Sequence, residues 1–250
     1  MSRVSIVVRP STSTRIMPSF LHEPFVFPKL QQVNQRVGRV YQVLSGNHAG
    51  QEYPSITRVL GAKPKPQLAA WKKRVGTTEA ARITKESSAR GTSLHILAES
   101  YINNEADQVA DALPTLTDDV RQFWNDLSPW IDAHVQRVHG QEQDVYSAHL
   151  NVAGRMDLLA TVDGDLSVVD FKTARRPKKR DYVLDYFLQG CFYSLCVFEH
   201  TGQKVKRIIF PIVSPEGLEL FETTPTVEFE GLRRRIDDYY AHYHTTTSHE

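Results

Sequence analysis

Three side chains stand out by type and spacing: Asp157, closing Gly154-Arg155-Met156-Asp157, and Asp170 and Lys172, in Asp170-Phe171-Lys172-Thr173 after 12 intervening residues. Between them lies Asp163-Gly164, flanked by apolar runs. That dipeptide suits a two-residue type I′ hairpin, because both positions take φ > 0. With this loop Val162 pairs with Asp165, and Asp157 faces Asp170 directly. Opposed side chains share one face of a sheet with Cβ atoms about 5 Å apart, and Lys172, two residues on, points the same way. Two carboxylates facing each other repel unless neutralised. Lys172 can neutralise one, and a divalent cation can bridge both. A one-residue slip of the loop would instead set Lys172 opposite Asp157. A structural Asp–Lys–Asp cluster at a sheet end is the plainer alternative.

Two further pairs have helical spacing. His95 and Glu99 are i and i+4, after Arg90-Gly91-Thr92-Ser93-Leu94, and Gln189 and Tyr193 are i and i+4 in Gln189-Gly190-Cys191-Phe192-Tyr193. Taken singly, such residues are more often satisfied surface or core side chains. Positive charge concentrates in two acid-free stretches: Lys172, Arg175, Arg176, Lys178, Lys179 and Arg180, and Arg58, Lys63, Lys65, Lys72, Lys73 and Arg74. Acids gather around Glu105 to Asp126. Either basic stretch alone reads as a solvated face.

Elements must position these groups. Arg39–Leu44 reads as a strand, and Ser55 can cap a short helix through Leu60. Gln67–Val75 and Thr78–Ser87 read as helices. A stronger helix follows Gly91 through Ile102, with Leu94, Leu97, Ala98 and Tyr101 on its core face. Asp118–Val138 is helical, and Pro129 predicts a kink or break in it. The period then changes to strands over Val145–Leu150, Arg155–Val162 and Leu166–Lys172. A helix over Asp181–Phe198, strands over Val205–Val213 and Leu218–Thr223, and a helix over Val227–Tyr243 complete the order. This predicts an α/β (α+β) fold with a central mixed sheet flanked by helices. Residues 1–36 show poor periodicity and predict an irregular arm, and 37–250 a single domain with a helical N-terminal part.

Composition removes several classes. The chain has 250 residues, net charge +1, 40% hydrophobic residues, 13 Gly and 13 Pro, which is neither disordered nor collagen-like. Two cysteines, Cys191 and Cys196, cannot build a four-cysteine zinc or iron–sulfur site. No run of about 18 apolar residues predicts a membrane span, and no G-x-x-x-x-G-K-[ST] loop predicts ATP use. Arg3, Arg9 and Arg15 among Ser and Thr faintly suggest a transit peptide, but Pro10 and Pro18 interrupt any amphipathic helix there. A bacterial or phage-infected cytoplasm is therefore expected rather than a mitochondrion.

The G-x-x-D and D-x-K segments resemble the active-site signature of the PD-(D/E)xK nuclease superfamily, in its RecB-like branch. Arg90 to His95 with Glu99 resembles the upstream helix of that branch, and Gln189 and Tyr193 resemble its Q-x-x-x-Y motif. Tyr53-Pro54-Ser55-Ile56-Thr57-Arg58-Val59-Leu60-Gly61, with Leu68, Trp71 and Arg74, resembles the subgroup of the mitochondrial genome maintenance exonuclease and related phage exonucleases. The likeness spans about residues 39–198 and implies a restriction-endonuclease-like core.

The resemblance implies a divalent-metal-dependent DNA exonuclease acting on single-stranded ends or tails in replication, repair or recombination. Asp157, Asp170, His95 and the carbonyl of Phe171 are the implied ligands of Mg²⁺ or Mn²⁺. Lys172 is the implied catalytic cation, with Gln189 and Tyr193 beside it and Glu142 in a supporting position. Arg58, Trp71, Arg175, Arg176, Lys178, Lys179 and Arg180 become candidate DNA contacts, with Tyr182 and Tyr186 able to stack bases. A structure-selective flap or restriction-type endonuclease is the alternative. A binding module without chemistry would carry a lesion at Asp157, Asp170 or Lys172, and none is present.

Overall fold

A computed structural model describes residues 19–35 and 38–242. The arginines and prolines of residues 1–18 lie outside them. Within residues 19–35 the expected irregular arm contains β1 (Leu21–His22) and β2 (Leu30–Gln35). β2 was illegible because Gln31, Gln32, Asn34 and Gln35 give it almost no apolar alternation. It pairs antiparallel with β3 (Gly38–Val43), which pairs with β4 (Glu52–Pro54), forming a small sheet.

Ser55 caps α1 (Ile56–Gly61), its hydroxyl accepting from the Arg58 amide at 3.2 Å. Pro66 opens α2 (Pro66–Val75), where its missing N–H costs nothing. α3 (Thr77–Ile102) is one helix where the sequence predicts two. Gly91 inside it costs about 1 kcal/mol relative to Ala, which burial of Leu94, Leu97, Ala98, Tyr101 and Ile102 outweighs. α4 (Ala106–Ala112) follows. α5 (Asp118–His134) passes through Pro129 without the expected break, carried by its buried stripe of Val120, Phe123, Trp124, Leu127, Trp130 and Ile131. It ends four residues earlier than expected. Val135 and Val138 are β-branched, and they pair with Val162 and Ala160 in the sheet instead.

β5 (Val135–Ser147) is longer than predicted, because the polar run Gln141-Glu142-Gln143-Asp144 hides its middle. Then come β6 (Val152–Val162), β7 (Asp165–Val169), β8 (Lys172–Thr173), α6 (Leu184–Thr201), β9 (Arg207–Ser214), β10 (Gly217–Thr223) and α7 (Pro225–His242). Among the described residues the main sheet runs β1-β5-β6-β7-β9-β10, with β8 also paired to β9. β7 and β8 both run parallel to β9, while β6 pairs antiparallel with both β5 and β7, so the sheet is mixed as expected.

Helices cover both faces. α1, α6 and α7 bury Ile56, Phe187, Phe192, Leu232 and Ile236 against one, and α3 and α5 bury Leu94, Leu97, Phe123 and Ile131 against the other. The small sheet docks through Tyr41, Val43 and Tyr53 onto Tyr146 and Ala153, with Tyr53 stacked on Tyr146 and Ser55 bridged to Ala153.

Candidate metal centre

The turn places the acids. Val162 pairs with Asp165 and Leu158 with Val169, the register read from Asp163-Gly164. Asp163 and Gly164 have φ of 50° and 85°, as a type I′ turn demands. Continued one step past the last pair, this register sets Asp157 against Asp170. There the strand leaves its ladder, between β7 and β8. The Asp170 amide still bonds to the Ile209 carbonyl at 3.1 Å, but the next peptide turns to the site. The Phe171 amide donates to Asp157 Oδ2 at 3.0 Å, and the Phe171 carbonyl lies 2.8 Å from His95 Nε2. A carbonyl only accepts, so Nε2 carries the hydrogen. That leaves Nδ1 facing Asp157 Oδ2 at 3.5 Å and Glu142 Oε1 at 3.9 Å. The Phe171 carbonyl, an expected metal ligand, is thus engaged by the histidine.

Glu142 lies between Gln141 and Gln143, the partners of Leu158 and Met156, and therefore stands opposite Asp157. Its φ is 45°, an unfavourable value for a residue with a Cβ. Locating it from sequence requires the β5–β6 register, and the turn over residues 148–151 offers no dipeptide as telling as Asp163-Gly164.

The second acid sits in a different environment. Asp170 is fully buried, paired with the Lys172 ammonium and accepting from Gln189 Nε2 at 3.2 Å. Gln189 also donates to the Tyr193 hydroxyl at 2.9 Å, so the helical pair does face the acids. Lys172 lies 5.4 Å from the centre of the Tyr186 ring. α6 reaches β6 because residue 154 has no side chain: a Cβ there would come 2.9 Å from Tyr193 and 3.0 Å from Ile56.

Electrostatics follow from this crowding. Burial, and then the Asp170 charge, push Asp157 up to about 7, against the pull of Lys172 and His95. Burial disfavours the His95 imidazolium, but Glu142 and Asp157 outweigh it and hold the ring at about 9. Burial likewise opposes the Lys172 ammonium, yet Asp170 and Asp157 raise it above its usual range. Burial lifts Glu99, with help from Glu142.

His95, Glu142 and Asp157 each offer a ligand atom, and these atoms lie within 4.8 Å of one another. Two carboxylates and one imidazole in a half-buried pocket fit a divalent cation. The raised pKa values of Asp157 and His95 reflect, in part, crowded negative charge that such a cation would offset.

The expected DNA contacts are dispersed. Arg58 turns from the acids and packs 5.9 Å from the Tyr239 ring. Trp71 is half-buried on α2, a helix with no fully buried residue. Arg175, Arg176 and Lys179 are exposed after β8. Lys178 is half-buried, its amide bonded to Glu219, and Arg180 lies 4.5 Å over Phe187. Tyr182 is exposed, whereas Tyr186 stacks on Phe210. Glu79, at the start of α3, is held low by Arg82 first and by Arg175 in part. The loop after β8 therefore approaches the end of α3 that adjoins α2.

The family model of the PD-(D/E)XK nuclease superfamily matches residues 66–247. The chain belongs to the PD-(D/E)XK nuclease superfamily. The nuclease fold is the expected one, a mixed central sheet between helices, and membership implies metal-dependent nuclease activity. A solved structure, that of SSO0001, is 14% identical and covers 75% of this chain and 74% of its own, with a TM-score of 0.41. At that level the likeness carries no argument. No curated protein matches the sequence. No helix among the described residues of this nuclease is long and apolar enough to cross a membrane.

Proposed function

We propose that this nuclease is a DNA exonuclease that degrades single-stranded ends or tails during replication, repair or recombination. Its place would be the RecB-like branch, near the mitochondrial genome maintenance and phage exonucleases, and its setting a bacterial or phage-infected cytoplasm. The observation that carries the reading is the convergence of His95, Glu142 and Asp157 within 4.8 Å, beside the buried Asp170–Lys172 pair.

His95 Nδ1, Glu142 and Asp157 would hold Mg²⁺ or Mn²⁺. The cation, when bound, supplies an acidified water and a counter-charge for the phosphate. Asp170, buried behind this group, keeps Lys172 charged. Lys172 orients the attacking water or stabilises charge developing on the phosphate. Gln189 holds the Asp170 carboxylate in one orientation, with Tyr193 behind it. Arg175, Arg176, Lys178, Lys179 and Arg180, with Arg58 and Trp71, are assigned to the DNA strand. The approach of Arg175 to the α2–α3 end supports one path bordered by both basic stretches, and a single strand bends into such a path more readily than a duplex.

The test is digestion of end-labelled linear and closed circular single-stranded DNA with Mg²⁺, Mn²⁺ or EDTA. The expected result is loss of linear strands in either metal, intact circles, and no reaction in EDTA. Rapid cutting of circles would instead establish the endonuclease reading.

A further inference from the structure

The acids share their cleft, of ≈ 190 Å³, with residues from outside the segment matched by the family model. Arg39 and Tyr41 from β3, and Ser55 and Thr57 at the start of α1, line it together with Glu142, Arg155 and Asp157. The matched segment begins at residue 66. The small N-terminal sheet therefore supplies part of the cleft surface.

Charge within the cleft is divided. A DNA strand brings one negative charge per nucleotide to a cleft already lined by Glu142 and Asp157. A cation at the acids answers the reacting phosphate only, so the next phosphate needs fixed positive groups. Two guanidinium groups line the cleft. Arg155 forks onto Asp144 through Nε and Nη2, at 2.8 and 2.9 Å, a bidentate arrangement that fixes its plane. Arg39 lines the cleft beside Tyr41, a side chain only 1% exposed. Arg39 itself is exposed and has no carboxylate partner among the described residues. The Thr57 side chain is exposed, its hydroxyl 3.1 Å from that of Ser55.

We propose that Arg39 and Arg155, with Thr57, clamp the phosphate next to the cleaved bond, making the N-terminal sheet part of the DNA-binding site. The proposal rests on the nuclease reading above and extends it. A clamp of guanidinium and hydroxyl groups reads the backbone and not the bases. It also differs from the basic stretch at Arg175–Arg180, which follows β8, and from most of the stretch at Arg58–Arg74, of which only Arg58 shares α1 with Thr57.

The experiment combines protein and substrate changes. Binding of a short labelled single strand to the full chain is measured in Ca²⁺, with wild type, Arg39→Gln, Arg39→Lys and Thr57→Val. The strand is all-phosphate or carries one neutral methylphosphonate, moved position by position. Arg39→Gln should weaken binding about 5- to 20-fold, the scale of one lost charge-assisted contact, and Arg39→Lys should weaken it less. One methylphosphonate position should weaken wild type by at least a similar factor and weaken Arg39→Gln by a clearly smaller one, since Arg155 and Thr57 remain. If Arg39→Gln binds like wild type, or its loss multiplies with the methylphosphonate loss at every position, the clamp is overturned. Position-specific coupling in a protein that cuts no DNA in any metal would support the clamp and overturn the nuclease reading alone.

Discussion

At the metal centre one peptide is gripped from two sides, the Phe171 amide by Asp157 and the Phe171 carbonyl by His95. Asp170 is bound by Lys172 and Gln189 in a fully buried position. The basic stretches are built differently. α2 buries no residue completely, and Arg175, Arg176 and Lys179 project from a loop into solvent. The first region is over-determined by strand register, helix packing and charge. The second is determined by little beyond its sequence. Chemistry that needs atoms held to within about 0.5 Å belongs in the first kind of region, while a flexible polyanion can be met by the second. Substitutions in the two regions should therefore fail in different ways.

The largest effect is expected at the acids. Asp157→Asn and Asp170→Asn should each reduce cleavage to background in Mg²⁺ and Mn²⁺ while the protein remains folded. Apo stability should move the other way at Asp157. Its folded pKa, about 7, lies above that of a free Asp, so the folded state binds the extra proton between about pH 4 and pH 7. Its stabilising contribution is present at low pH and is lost as pH rises through that window. Asp157→Asn should flatten this decline in urea melts of the metal-free protein. Full activity in both variants, or an unchanged pH profile of stability, would undo the assignment of the centre.

Lys172→Ala comes next. Removal of a positioned charge from a site of low dielectric should cost roughly 100-fold in cleavage rate. Affinity for a single strand in Ca²⁺ should change far less. Equal losses in rate and affinity would move Lys172 from the first kind of region to the second, as a phosphate anchor.

The same contrast explains what the sequence discloses. The facing of Asp157 and Asp170 was legible because Asp163-Gly164 admits one turn type and strand pairing does the rest. Gln189 and Tyr193 were legible from helical spacing and resemblance together. Glu142 was underrated, because its register depends on a turn without a strong signature and its neighbours are polar. Nothing in the sequence singles out Arg39 or Thr57 as site residues, although Thr57 lies within the Tyr53–Gly61 motif. Their position depends on docking of the small sheet through Tyr53 and Tyr146, a contact between distant residues. On α1 Thr57 lines the cleft while Arg58 packs near Tyr239. In that short helix one residue of rotation, about 100°, separates the two directions. α3 continues through Gly91 and α5 runs unbroken through Pro129 because tertiary burial overrides local propensity.

Packing sets the third effect. A Cβ at residue 190 would lie 2.2 Å from the Ile208 side chain, and one at residue 154 would press on Tyr193 and Ile56. Gly190→Ala should lower stability by about 1–3 kcal/mol through overpacking, and Gly154→Ala by a similar or smaller amount. Gly154→Ala should also slow cleavage, since it shifts α6, and Gln189 with it, away from Asp170. Chemical denaturation checks the stability and single-turnover kinetics the rate. A Gly154→Ala protein as active as wild type would show that the centre tolerates looser packing than its geometry suggests.

The smallest effects are expected on the loop after β8, where they should appear in binding and salt dependence rather than in chemistry. Arg175, Arg176, Lys179 and Arg180 are all exposed, but Arg180 is also spread over Phe187 with its Nη1 on the Glu222 carbonyl. A side chain already packed has less freedom to follow a moving strand, so the four should not contribute equally. Each single change of Arg175, Arg176 or Lys179 to Gln should lower the slope of log affinity against log salt by about 0.7, the value for one lost single-strand phosphate contact. Arg180→Gln should change the slope less and the melting temperature more, since it removes packing as well as charge. Cleavage at saturating DNA should stay near the wild-type rate in all four. If Arg175→Gln slows cleavage at saturation while leaving the salt slope intact, this loop belongs with the metal centre, and the division between the two regions fails at its clearest point.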